Sequence, residues 1–280
     1  LIVWIFFEKI IKLKFFYIFF IKITSFKSEF LKITILCFNI ILFLLSFMGI
    51  ICSILWGFSE NWYFPNFFPN DLNIDNFLSF YYQNKSLILI SIFIPLMVSL
   101  LSISLIILWV ELLDYLNITK TQFEWIIFTP LFIPQISFLI GIQSFMIFFN
   151  FNSFLIPLIF VQLFYVIPYC FIILAPAMRE VKSDYIKVAS SLGKNRIVRL
   201  FKIKIPLVLP SLMTSFAIGM IVSFALYVPV YFIGAGRVTT LTVEALNLAL
   251  SGSKEDLGIA TFFQILFPTL LLFTVAFINR

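Results

Sequence analysis

Six long apolar runs constrain this chain more than any other feature of its sequence. They lie near residues 33–56, 86–110, 125–149, 154–176, 206–233 and 258–278. About 20 apolar residues in a helix cross the hydrocarbon core of a bilayer. Within lipid no water satisfies the backbone, so only helices or a closed barrel can span it. The runs are continuous rather than alternating, which selects helices. Only 11% of the residues are charged, against about 25% in a soluble domain. The sequence therefore predicts an all-α polytopic membrane protein with about six transmembrane helices. Residues 1–32, with six Lys and two Glu among many Phe and Ile, form a basic amphipathic N-terminal segment. They read as an interfacial or partly inserted helix, and 33–280 as the transmembrane domain. The N-terminal segment does not read as a signal peptide. Lys9, Lys12, Lys14 and Lys22 interrupt its apolar run, and no small-residue cleavage site follows. The chain opens with Leu1 rather than Met, as a truncated or internal piece, or a mis-called start, would.

Charge sets the orientation. With the N-terminus inside, residues 1–32, 111–124, 179–204 and Arg280 are cytoplasmic, and they hold sixteen of the nineteen Lys and Arg residues. Lys85, Arg237 and Lys254 fall outside. Positive residues collect on the cytoplasmic side of membrane proteins, so both termini are expected inside. The net charge of +6 is then a matter of topology, and no nucleic-acid partner is expected. Residues 57–85 and 234–257 read as polar connections on the outside.

Several chemistries are excluded by composition. The chain has no His, and Cys37, Cys52 and Cys170 sit within apolar runs as buried fillers. No CxxC or Cys/His metal pattern occurs, and no phosphate loop, so no cofactor or metal is expected in this chain. A Ser/Lys or paired-carboxylate membrane enzyme stays open. Glu111 and Glu124 mark span ends, and no acid lies in a span interior. Ion-coupled transporters usually place ionisable groups at membrane depth. Their absence argues for energy supplied by a partner, with a secondary transporter or channel as the alternative.

The longest polar interruption is 184–206, DYIKVASSLGKNRIVRLFKIKIP. Val181, Tyr185, Val188 and Leu192 recur at helical spacing and form one apolar stripe. Asp184 can cap the start of this helix, and Gly193 can close it in a left-handed conformation. Pro206, without an amide donor, suits the first turn of the fifth span. A short amphipathic helix of this kind lies on a membrane surface or docks into a partner.

Within that loop, Ala189 is followed after three residues by Gly193, after nine more by Ile203, and then by Ile205-Pro206. This resembles the EAA loop of ABC-importer permeases, E-A-A, three residues, G, nine residues, I-x-L-P. Val188, Ala189 and Gly193 take the second, third and glycine positions, and Ile203, Ile205 and Pro206 the end. Lys187 stands where the pattern has Glu; Asp184, one turn earlier, can supply a nearby acid. Pro130, Pro134 and Gly141, the run Leu163 to Tyr169, and Leu174 to Ala177 also look like that permease core. Residues 232–245 are similar to permeases of the thiamine and ferric-iron importer group. There two permease halves often share one chain, and this chain would fit the second half.

The resemblance implies a fold and a set of partners. It implies a cytoplasmic coupling helix between the fourth and fifth spans, with ATPase-coupling residues Asp184, Lys187, Val188, Ala189, Gly193, Ile203, Ile205 and Pro206. The small residues Ala189, Ser190, Ser191 and Gly193 would let that helix enter a cleft on the ATPase. It implies a separate ATP-binding cassette subunit that hydrolyses ATP, so this chain is a transport subunit and not an enzyme. It implies a second permease half, as a homodimer, heterodimer or fused chain, and an extracytoplasmic solute-binding protein. The setting is the bacterial inner membrane. Tyr227, Pro229 and Tyr231, near the outer end of the fifth span, would line or gate the path; an interfacial aromatic belt is the alternative.

The count of basic residues can be tested with single cysteines in a background lacking the native ones. Lys254→Cys should be labelled from outside the cell, and Lys194→Cys only from inside. Labelling of both from one side would refute the six-span topology.

Overall fold

The structure is a computed structural model that describes residues 28–60, 62, 66, 69, 71–116, 118, 124–149, 154–181 and 183–278. Most of the basic segment expected over 1–32 lies outside the described residues. The chain divides into two units, Leu1–Cys52 and Ser53–Arg280. What is described of the first is the N-terminal length of helix α1 (Ser28–Phe58). Its large side chains, among them Leu36, Phe38, Leu45 and Met48, are exposed. That is the expected state of a span facing lipid tails, which are as apolar as Leu. Cys37 is exposed as well, contrary to its reading as a buried filler. Beside lipid, a thiol need not be hidden to be comfortable.

In the second unit, α1 ends in a small antiparallel hairpin, β1 (Ser59–Glu60) with β2 (Asp71–Leu72), in which Ser59 pairs Leu72. Helix α2 (Asp75–Gln83) follows, so the 57–85 connection contains a helix. Then come α3 (Lys85–Tyr115), a 3-10 turn (Glu124–Phe128), α4 (Thr129–Phe132), α5 (Gln135–Phe148) and α6 (Leu155–Arg179). The polar loop contains α7 (Ser183–Ser191), α8 (Arg196–Arg199), a π turn (Leu200–Lys204) and α9 (Ile205–Leu207). Helices α10 (Leu209–Ala225), α11 (Tyr227–Gly234), α12 (Leu241–Ser251) and α13 (Lys254–Ile278) complete the chain.

Among the described residues, four helices are long and apolar enough to cross a membrane: α1 from Leu36, α3, α6 and α13. Two bent pairs bring the number to as many as six. The third expected span, 125–149, is one of these pairs and bends by 98° between Phe132 and Gln135. Pro134 is the cause. It disfavours helical dihedrals at the preceding residue, and Ile133 is extended at φ −81°, ψ 132°. The fifth expected span, 206–233, is interrupted twice. The helical segment Arg196–Leu207 meets α10 at 79°, and Leu226 (ψ 92°) separates α10 from α11. Pro206 therefore opens the three-residue α9, while Pro210 sits in the first turn of the span itself.

The core is where α3, α6 and α10 meet, with Ile94, Val98, Leu158, Val166 and Leu174 fully buried. Small residues set the helix separation. A Cβ on Gly219 of α10 would lie 2.7 Å from Cys170 Sγ and 3.2 Å from Ser99 Cβ. Ser215 Oγ donates to the Cys170 carbonyl (3.2 Å), and Cys170 Sγ donates back to the Ser215 carbonyl (3.5 Å). Small and hydroxyl-bearing residues favour helix contacts in lipid because no hydrophobic force draws spans together there.

Helix α12 was expected to be loop, within 234–257. It begins at an extended Thr240 and ends at Gly252 in the left-handed region (φ 83°). Its first turn is tied to three neighbours. Leu241 N–H donates to Ser91 Oγ (2.7 Å), Gln264 Nε2 donates to the Leu241 carbonyl (2.8 Å), and Thr242 Oγ1 donates to the Phe224 carbonyl (2.8 Å).

Two glycines bring α13 against the C-terminal end of α1. A Cβ on Gly258 would stand 2.2 Å from Gly57 N and 2.6 Å from the Ser53 carbonyl oxygen. Gly258→Ala must push these backbones apart and should lower stability by about 1–3 kcal/mol, the range for overpacking. Gly141→Ala meets nothing within 4 Å and serves as the control. Thermal unfolding in detergent reads the difference; equal melting of the two variants would show that the glycine contact does not hold the helices together.

Candidate functional site

Helix α7 is short because its composition stops it. After Ser191 the chain turns through Gly193 at φ 68°. Gly193 N–H donates to the Ser190 carbonyl (3.0 Å) and Lys194 N–H to the Ala189 carbonyl (3.1 Å). These two bonds are the Schellman closure of a helix, which favours glycine at its left-handed position. The helix starts at Ser183, so Asp184 occupies its first turn and not its cap. The side chains of Asp184 and Lys187 lie outside the described ones.

The apolar stripe faces away from the bundle. Tyr185, Val188 and Leu192 are 53%, 60% and 70% exposed. Val181, expected on the same stripe, instead precedes the helix and packs on the core. Ala189 is buried, at 6% exposure. It was expected at an outward docking surface; its small side chain instead lets α7 lie close against its own chain. Gly193 and Pro206 are exposed, and Ile203 and Ile205 are half-buried.

Ion pairs flank the helix on both sides. Before it, Arg179 at the end of α6 holds Glu124 with two bonds, at 3.1 and 2.5 Å. Beyond it, Lys204 Nζ reaches Glu111 (2.5 Å) and Asp114 (2.6 Å) at the end of α3. Arg196 Nε donates to the same Glu111 (3.2 Å), and its guanidinium also donates to the Glu111 backbone carbonyl. That guanidinium lies 5.0 Å from the centre of the Tyr115 ring. Sequence reasoning treated Glu111 and Glu124 as markers of span ends and the Arg and Lys as loop charge. The available signal was only that acids at two predicted membrane edges oppose a basic loop on the same side.

The expected path residues sit on α11, beyond the break at Leu226. Tyr227 and Tyr231 are exposed, but Pro229 is buried. Pro229 is thus part of the packing of α11 and not of an open surface. Tyr231 borders a cavity of about 390 Å³ with Ala235, Gly236, Thr239, Val243 and Asn247. Its wall includes the turn at Ala235 and Gly236, both left-handed (φ 47° and 75°). Deeper in, Ser223 Oγ donates to Gln162 Oε1 at 2.5 Å, a buried polar pair between α10 and α6.

Residues 85–279 match a family described as the binding-protein-dependent transport system inner membrane component. A protein of Escherichia coli (strain K12) named inner membrane ABC transporter permease protein YnjC is 27% identical over 197 residues. The alignment covers 70% of this chain and 37% of that protein, so the chain spans well under half of its relative's length. The family match begins at α3, takes in α7 and both flanking ion-pair clusters, and ends at the close of α13. This chain belongs to the family of binding-protein-dependent transport system inner membrane components.

Proposed function

We propose that the chain is the transmembrane permease subunit of a bacterial ABC importer, and that α7 is the helix through which a separate ATPase drives it. The observation that carries the reading is the outward apolar stripe Tyr185, Val188 and Leu192 on a helix closed at Gly193. That stripe lies within a loop of EAA-type spacing, in a chain of the permease family. ATP binding closes the ATPase dimer and displaces α7, and rigid-body motion switches the path between inward and outward access. ATP is held and hydrolysed by the partner. A second permease half completes the path, and an extracytoplasmic binding protein delivers the solute. The membrane is the bacterial inner membrane, with both termini inside, as the distribution of basic residues favours. The proposed ATPase contacts are Val188 on the stripe and Gly193 at the closure of the helix, with Asp184 and Lys187 beside them; Ile203, Ile205 and Pro206 carry the chain back to the span. Neither the family nor the relative names a solute, so placement in the thiamine and ferric-iron group rests on residues 232–245 alone. Tyr227 and Tyr231 are proposed to border the path at its outer end.

Gly193 gives the direct test. A Cβ there meets nothing within 4 Å, so Gly193→Phe should still insert and fold. The left-handed position adds about 1–2 kcal/mol of local strain, and the ring projects toward the ATPase. Stimulation of ATP hydrolysis by loaded binding protein, in reconstituted membranes, should be lost. Lys187→Glu, which restores the EAA pattern, should be tolerated. If Gly193→Phe assembles with the ATPase and couples at the wild-type rate, the docking role of α7 is wrong.

The path has its own check. Tyr231→Cys, beside the cavity, should react with a water-soluble thiol reagent at a rate that changes with nucleotide, while Pro229→Cys stays protected. Uniform inertness of cysteines at 227 and 231 would favour an interfacial aromatic belt.

A further inference from the structure

The two ion-pair clusters beside α7 differ in a way that assigns them different work. Before the helix, Arg179 and Glu124 have side chains 39% and 23% exposed. After it, Lys204 and Glu111 are 6% and 13% exposed. An exposed pair is screened by water and salt and holds its partners weakly. A buried pair is hard to open, because parting it strands charge in a low-dielectric setting. The buried cluster is also branched. Glu111 is held by both Arg196 and Lys204, Lys204 is shared with Asp114, and Arg196 adds a bond to the Glu111 backbone.

The elements joined by the buried cluster differ too. Arg196 and Lys204 bracket the segment that leaves α7, and this segment runs at 79° to α10. Within it Ile205 N–H donates five residues back, to the Leu200 carbonyl. That π turn shifts the helical register just where Lys204 must reach α3; such turns concentrate at functional sites. On the other side of the bonds is the end of α3, one of the three helices that form the core. A displacement of α7 thus has a stiff route into α3 and a soft connection to the 3-10 turn that leads into α4 and α5.

We propose that Glu111, Asp114, Arg196 and Lys204 form a lever that carries the movement of α7 into α3, while the Glu124–Arg179 pair is a slip joint that yields. The four are positioning residues: they touch neither solute nor nucleotide. The inference rests on the docking role of α7 proposed above, and its test separates the two.

The experiment uses the native importer complex in lipid vesicles, with Cys37 and Cys52 replaced by Ser. Spin labels are placed singly at exposed positions 194, beside α7, and 112, on α3. The probe is ATP with vanadate. In the wild type both labels should change mobility. In Glu111→Gln and in Lys204→Met, label 194 should still respond, while the response at 112 and binding-protein-stimulated ATP hydrolysis should fall about tenfold, within the range of coupling between linked sites. Arg179→Gln should leave both responses intact. Asp114→Asn, at a half-exposed carboxylate, guards against misfolding of the buried variants and should show a partial loss at 112 alone. Without a spin label present, joining Glu111→Cys to Lys204→Cys with a short bifunctional thiol reagent should restore binding-protein-stimulated ATP hydrolysis, which a purely structural defect would not allow. A full response at 112 in Lys204→Met, with label 194 also responding, overturns the lever and leaves the docking role standing. No response at 194 in the wild type overturns both.

Discussion

A peptide group in hydrocarbon has no water to replace a lost hydrogen bond, so each break in a span has to be closed by other parts of the protein. This structure shows how. The carbonyl of Phe224, at the end of α10, accepts from Thr242 Oγ1. The amide of Leu241, at the start of α12, donates to Ser91 Oγ on α3, and the Leu241 carbonyl accepts from Gln264 on α13. The interruption after α10 is therefore also a junction. Three spans and a short helix are tied together at the point where one of them stops. Polar side chains at such depth are costly unless bonded, and here Ser91 and Thr242 bond to backbone groups at the ends of helices, where unpaired groups are concentrated.

Close approach of helices follows from the same setting. Apolar side chains gain little by leaving lipid, so helices hold together by contact and by shared polar groups. At Gly219, Cys170 and Ser99 the three core helices come near enough for Cys170 and Ser215 to exchange hydrogen bonds. At Gly57 and Gly258 two backbones touch with no side chain between them. The core is thus fixed at a few crossing points, and the long faces between them are free to meet lipid or another subunit.

The spans at 86–110, 154–176 and 258–278 were legible because length and apolar content alone define a crossing helix, and α3, α6 and α13 fall there. The closure at Gly193 was legible because glycine is favoured in a left-handed turn. The breaks were not. Pro134 follows an extended Ile133 and ends a helix, while Pro168 lies inside an unbroken α6; both stand in apolar runs, so composition does not separate them. Helix α12 was hidden because its eleven residues are bounded by Gly, Thr and Ser that read as a connection. Val181 shares the helical spacing of Tyr185, Val188 and Leu192 yet packs inward, since spacing describes a helix that α7 does not extend to reach. The cluster around Glu111 joins positions 85 and 93 residues apart. Local pattern carries no trace of such distances.

The stripe on α7 has a consequence for the life of the chain before it meets a partner. Tyr185, Val188 and Leu192 stand clear of their own bundle on a nine-residue helix, shorter than helices that persist by themselves in water. Without a partner, the helix leaves these three apolar side chains uncovered. If α7 docks as proposed, a partner that covers these three side chains also takes their apolar surface out of water.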